Sequence, residues 1–193
     1  MVDNIAICGS HPATLRLAPK MGEPGWKRFM CSPRNFGEAA DVWFEVRPLE
    51  NLRKEWPWHE TWLAKQPRVM MNRVYPEIPG SEAYPIEAMR AEFGGYFWTS
   101  TVALMLAQAI MEAPKTIGVF GVMMSTDEEY SLQRPGFHYF VTEARRRGIE
   151  VTTPPAAAHI LETPEREGFD EAVDPTLQDD AFLTVAAPEQ KVA

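Results

Sequence analysis

Residues 101–122 constrain this fold more than any other stretch. Thr99 or Ser100 supplies a hydroxyl suited to an N-cap, and the segment from Thr101 to about Ala113 (Val-Ala-Leu-Met-Leu-Ala-Gln-Ala-Ile-Met) is apolar on nearly every side. A helix with no polar face must be buried. Lys115-Thr-Ile-Gly-Val-Phe-Gly-Val122 follows at once and reads as a buried strand. A buried helix feeding a buried strand calls for a layered α/β architecture.

The rest of the chain repeats that alternation. Ile5-Ala-Ile-Cys8 is a short apolar run stopped by Gly9, and Ala13–Leu17 follows as a short helix or helical turn. Trp26–Cys31 is expected as a second strand, Asp41–Arg47 as a third and Arg68–Asn72 as a fourth. Helices are expected over His59–Lys65, Ile86–Phe93 and from Pro135 to Arg147. The last carries Phe137, Phe140, Val141 and Ala144 on one face and basic residues before Gly148. Ile149–Thr153 is a final strand. Strands alternating with helices predict an α/β fold, a Rossmann-like three-layer sandwich with a mainly parallel sheet. Residues 1–160 are expected to form the Rossmann-like domain, and 161–193, which lack periodicity, an irregular C-terminal arm or tail.

Composition narrows the function. The 193 residues are 45% apolar, enough for a core without metals or disulfides. A net charge of −8 with no basic run speaks against direct nucleic-acid binding, which needs a positive face. The two cysteines, Cys8 and Cys31, lie in strands and read as buried thiols. No apolar stretch approaches the about 18 residues of a membrane span. Asp3 and Asn4 before a short apolar run give no signal-peptide pattern, so a cytoplasmic location is expected.

In an open parallel sheet, ligands bind at the carboxyl ends of strands, where strand order reverses. Four loops should gather there, after Cys8, Cys31, Arg47 and Val122, joined by the start of the buried helix. The first offers Gly9 for close backbone approach, hydroxyls from Ser10 and Thr14, and His11 and Pro12. The second offers Ser32, Arg34 as a planar fork for phosphate, and Asn35 to read a base or sugar edge. Glu45 and Arg47 flank the third strand end, where an ion pair between them is the simplest expectation. Ser100 and Thr101 precede a helix whose N-terminus carries about half a positive charge. The polar loop Ser125–Pro135 brings Asp127, Glu128, Glu129, Tyr130, Gln133 and Arg134. Glu129 and His11 are the candidate catalytic bases, and Tyr130, Gln133 and Arg134 can clamp a ligand. The histidines, His11, His59, His138 and His159, show no metal-ligand spacing, so no metal site is assigned. Mg²⁺ is an option through Asp127 or Glu128 and substrate phosphates.

Ile5-Ala-Ile-Cys-Gly-Ser-His-Pro-Ala-Thr-Leu15 resembles the strand and Gly-x-x-Pro-Ser-Leu opening of the MptE-like 6-hydroxymethylpterin pyrophosphokinases and the related bacterial sialyltransferases. Thr99-Ser-Thr-Val-Ala103, then Ile117-Gly-Val-Phe-Gly-Val122 and Glu129-Tyr130, is similar to the second block of that group, where a Thr-Ser-Gly helix start precedes a strand ending in Gly-x-Asp. Small phage-encoded Rossmann-like proteins look similar too. The resemblance spans about half the chain. It implies a Rossmann-like fold and a nucleotide ligand: a nucleotide sugar as in the sialyltransferases, or ATP with Mg²⁺ as in the pyrophosphokinases. Gly9, Ser10, Pro12, Ser32, Asn35, Ser100, Thr101 and Tyr130 would then surround the nucleotide. The chain departs from the pattern at Ala13-Thr14, at Thr101 in place of glycine, and at Met123 in place of the acid of Gly-x-Asp. The last departure removes a carboxylate that metal-dependent phosphoryl transfer would use.

The expected function is a nucleotide-binding transferase with a nucleotide-activated donor, by glycosyl or pyrophosphoryl transfer. The alternatives are a non-catalytic protein that binds or sequesters a nucleotide, such as a phage accessory factor, and an assembly protein. For the last, the Trp56, Trp58 and Trp62 cluster would form an interface, and a homo-oligomer suits all three.

Overall fold

The computed structural model describes residues 3–35, 37–126 and 129–162, without the side chains of Glu129 and Tyr130. The expected C-terminal arm therefore lies outside the described residues, apart from its first two. Seven strands form one sheet: β1 (Asn4–Cys8), β2 (Trp26–Cys31), β3 (Val42–Glu45), β4 (Val69–Met71), β5 (Ser81–Ala83), β6 (Thr116–Phe120) and β7 (Glu150–Thr152). Their order is β5-β4-β3-β2-β1-β6-β7, and every pairing among them is parallel. The helices are α1 (Pro12–Leu15), α2 (Leu49–Glu55), α3 (His59–Leu63), α4 (Ile86–Phe93), α5 (Thr101–Met111) and α6 (Arg134–Arg146). This is the expected Rossmann-like sandwich.

Side chains alternate across the sheet with the period of two that a strand imposes. Ile5 and Ile7, Phe29 and Cys31, and Val42 and Phe44 face one way, onto Met89 and Phe93 of α4, the apolar length of α5, and Phe137, Phe140, Val141 and Ala144 of α6. Ala6, Cys8, Met30, Trp43, Val69 and Met71 face the other way, onto Leu49 and Leu52 of α2 and Leu63 of α3. Trp43 meets Trp62 edge to face at 4.4 Å between ring centroids. Each fully buried side chain of this size contributes about 1.5–3 kcal/mol relative to exposure.

Two elements depart from the sequence expectation. Ser81–Ala83 adds an edge strand that has no apolar pattern: only Ser81 is buried, and its hydroxyl accepts from Tyr75 N and donates to Tyr75 O. The chain from Leu49 to Glu55 is helical, although only Leu49 and Leu52 of it are buried. Among the described residues no helix is long and apolar enough to cross a membrane.

From β1 the sheet grows outward through β2, β3, β4 and β5, then the chain returns to lay β6 on the other side of β1. Strand order therefore reverses between β1 and β6. Their carboxyl ends are laced together. Gly9 N donates to Phe120 O at 2.8 Å and His11 N to Gly121 O at 2.9 Å, while Gly121 N donates to the buried Thr14 hydroxyl at 2.8 Å. The approach is close enough that a Cβ on Gly9 would fall on the Gly121 carbonyl, and one on Gly121 would sit 2.7 Å from Gly9 O. Only glycine permits that distance.

Candidate functional site

A hollow of about 690 Å³ opens over this switch point. Ligand pockets typically occupy about 300–1,000 Å³. The β1 loop contributes Gly9, Ser10, His11 and Pro12, and the β2 loop contributes Ser32 and Arg34. The start of α5 contributes Ser100 and Thr101, and Gln133 closes one side. These nine residues, all candidates from the sequence, line one hollow.

Their geometry follows from local causes. Because α5 immediately precedes β6, its C-terminus lies at the start of that strand and its N-terminus at the carboxyl end of the sheet. Ser100 caps it, its Oγ accepting from Ala103 N at 3.1 Å. The remaining first-turn N–H groups have no partner within the helix, and Thr101 and Val102 line the hollow at the positive end of the helix dipole. Ser32 holds a φ of +79°, a left-handed turn that costs a serine about 1–2 kcal/mol. It turns the chain from β2 into a 3₁₀ turn, Pro33–Asn35, and leaves Arg34 exposed on the rim. His11 Nδ1 accepts from Ala13 N at 3.3 Å. A neutral ring bonded this way carries its proton on Nε2, where it offers a donor.

Other expected site residues are placed elsewhere. Asn35 is 4% exposed, and its Nδ2 donates to Gly9 O at 3.0 Å and Cys31 O at 2.6 Å. Its donors tie the first two loops together instead of reading a base or sugar edge. Thr14 is buried against Gly121 for the same purpose. Arg134 points away: its Nε donates to His138 Nε2 at 2.9 Å and its Nη2 to the carbonyls of His159 and Glu162, at 3.0 and 3.2 Å. Glu129 and Tyr130 belong to a π-helical turn, Glu129–Gln133, whose first two side chains are outside the described residues, as are Asp127 and Glu128. Among the described residues no three His, Cys, Asp or Glu side chains converge to hold a metal ion. Both cysteines are free and buried, and burial pushes Cys8 up to about 11 and Cys31 up to about 12, so neither is a thiolate nucleophile. His159 Nε2 sits 2.8 Å from Met123 O, bracing the β6 loop that lines the hollow.

The sequence underrated the end of the hollow beyond β3. Glu45, Arg47, Glu55 and Trp56 line it. Glu45 is the last residue of β3 and Arg47 lies two residues beyond it, and they form the expected ion pair, with Nε–Oε1 at 2.8 Å and Nη2–Oε2 at 2.9 Å. Arg47 Nη1 reaches Glu55 Oε2 at 3.1 Å. Behind Glu45 lies the buried His59, its Nε2 3.4 Å from Oε2, stacked on Trp62. No periodic signal announces Glu55 or Trp56, because the packing of α2 brings them in.

Burial alone would raise the Glu45 carboxyl, but the contacts with His59 and Arg47 outweigh it and hold the group below the usual carboxylate range. A carboxyl lowered by folding contributes stability that is complete above its unfolded value, about 4.3, and lost as pH falls through the folded one. Wild-type urea midpoints are therefore expected to fall more steeply than those of Glu45→Gln as pH drops below about 4. Parallel curves would show that Glu45 gains nothing from its partners.

No protein-family model matches this chain, and no curated protein matches its sequence significantly. Among solved structures, the chain is similar to the sialyltransferase CstII from Campylobacter jejuni in complex with the substrate analogue CMP-3FNeuAc. The TM-score is 0.52 at 14% identity, over 84% of this chain and 85% of that chain. The same enzyme with cytidine-5′-monophosphate gives a TM-score of 0.49 at 14% identity, over 78% and 79% of the two chains. At this identity the likeness is one of fold: the chain has the Rossmann-like α/β architecture that the sialyltransferase also has.

Proposed function

We propose that this protein binds a nucleotide or nucleotide sugar in the hollow and transfers a group from it, with glycosyl transfer as the reaction the site suits best. The observation that carries this is the convergence of the β1 loop, the β6 loop and the N-terminus of α5 at the point where strand order reverses. The expected ligand is a small molecule with phosphate at that point.

In glycosyl transfer the bond from the anomeric carbon to the phosphate oxygen breaks, and its electrons stay on the leaving nucleotide. The acceptor hydroxyl forms the new bond and gives up its proton. Charge grows on the phosphate, where Ser10, Thr101, the first-turn amides of α5 and Arg34 stand ready to stabilise it. His11, which lines the hollow, donates from Nε2–H to the leaving oxygen. Glu129 is the candidate base for the acceptor proton. For the pyrophosphoryl alternative, which the MptE-like resemblance suggests, Asp127 or Glu128 would have to supply the Mg²⁺ ligand that Met123 does not.

The test is release of nucleotide from purified protein, with cytidine-5′-monophospho-sialic acid as first probe because the fold neighbour binds an analogue of it. Release is expected to be acceptor-dependent, with kcat lowered about 100-fold in His11→Ala. Unchanged kcat in that variant would remove the role given to His11. Met123 in place of an acid favours one second reading, a protein that binds a nucleotide without reacting it, for which saturable binding with no release is the signature.

A further inference from the structure

The hollow is chemically two-ended, and the end beyond β3 cannot hold the phosphate. Glu45 and Glu55 set two carboxylates against the single guanidinium of Arg47. Among these three side chains one negative charge is left over wherever the His59 ring behind Glu45 is neutral, which repels a phosphate and favours its place at the α5 end. A cation is disfavoured as well, because Arg47, 36% exposed, is the central member of the array.

An uncharged group with both donors and acceptors fits. Arg47 spends three N–H groups on the two glutamates and keeps others for a ligand. A hydroxyl beside the array can donate to a carboxylate oxygen and accept from the guanidinium, and adjacent hydroxyls can do so twice. Trp56, on the same wall, offers an apolar ring to the C–H face of a sugar.

The Glu45 end of the array is also fixed in place. Glu45 is 4% exposed and gripped at both oxygens by Arg47. His59, fixed between Trp43, Trp58 and Trp62, stands behind it. Groups already ordered lose little entropy on binding, so such a site discriminates strongly. β3 lies two strands from β1, which puts this end about 10 Å from the β1 loop by strand spacing. One nucleotide or nucleotide sugar covers that span.

We infer that Glu45, Arg47 and Glu55 form a specificity site for a vicinal diol of the ligand, an assignment that rests on the nucleotide-binding function proposed above. The diol can come from the ribose or from the transferred sugar. Calorimetry with wild-type protein separates the sources. The probes are the four ribonucleoside 5′-monophosphates, their 2′-deoxy counterparts and cytidine-5′-monophospho-sialic acid. If the ribose supplies the diol, a ribonucleotide binds about tenfold or more tightly than its 2′-deoxy partner. If the sugar supplies it, that pair binds equally and the nucleotide sugar gains the tenfold over its monophosphate. In either case Glu55→Gln, at an exposed position that leaves the core intact, shrinks the gap to about threefold or less, and Glu45→Gln does the same.

Equal affinities throughout, or a gap that neither variant changes, would overturn the diol site while leaving nucleotide binding in place. No binding by any of these compounds would remove the nucleotide function and the diol site with it.

Discussion

Asn35→Asp is expected to destabilise the protein by about 3–5 kcal/mol at neutral pH, although the two side chains have the same shape. The wild-type Nδ2 donates to two carbonyls, Gly9 O and Cys31 O, from a position 4% exposed to solvent. Aspartate puts an oxygen there, which cannot donate when ionised, and buries a charge against two carbonyl dipoles. The folded variant therefore prefers the protonated acid, and the pKa of the introduced carboxyl rises on folding. The part of the cost due to charge is full above that raised value and disappears as pH falls below the unfolded value, about 3.9, while one of the two donated hydrogen bonds stays lost. Urea denaturation of wild type and variant at neutral and acid pH measures both effects. Were Asn35 instead a ligand-reading group, the substitution would leave stability nearly unchanged and act on affinity alone.

Gly121→Ala is the second large effect, about 2–5 kcal/mol. Two costs add. The residue has a φ of +64°, which costs alanine about 1–2 kcal/mol, and its new Cβ would lie 2.7 Å from the carbonyl oxygen of Gly9. Forcing backbone apart in a packed region typically costs about 1–3 kcal/mol more. Gly9→Ala meets the same crossing from the other side and should behave alike, without the φ contribution. Gly22→Ala is the control: φ is +81° there too, but nothing lies within 4 Å of the added Cβ, so about 1 kcal/mol is expected. Denaturation midpoints of the three variants decide the matter. Equal losses at Gly22 and Gly121 would show that conformation alone, and not the β1–β6 crossing, makes glycine necessary.

Sheet and site differed in how much of them could be read from the residues. β1 and β6 are apolar runs that end at glycine, β2 is apolar over Phe29–Cys31 ahead of Ser32-Pro33, and α5 is apolar all round, so the burial of these stretches follows from their own composition. The α6 positions Phe137, Phe140, Val141 and Ala144 share a helical period and are all buried as that period requires. β5 escaped because an edge strand of Ser-Glu-Ala carries no hydrophobic signal; its place is set by pairing with β4.

At the site, the gathering of Ser10, His11, Ser32, Arg34, Ser100 and Thr101 followed from one topological rule: loops at the same end of a parallel sheet meet. Direction within the loops did not follow. Asn35, Thr14 and Arg134 are polar loop or loop-edge residues of the same types as those that line the hollow. Yet they turn inward or sideways to satisfy backbone groups that the crossing loops would otherwise bury. That demand arises only once the tertiary structure exists. The same holds for Glu55 and Trp56, which enter the hollow through the docking of α2.

The central claim is that the switch-point hollow is the ligand site. Backbone amide NMR during titration with cytidine-5′-monophosphate and cytidine-5′-monophospho-sialic acid tests it most directly. Saturable shifts are predicted at Ser10, Ser32, Thr101, Val102 and Gly121, which border the hollow from four separate chain segments. Shifts confined to Trp58, Thr61 and Lys65 on α3 and its approach, or none at saturating ligand, would contradict it.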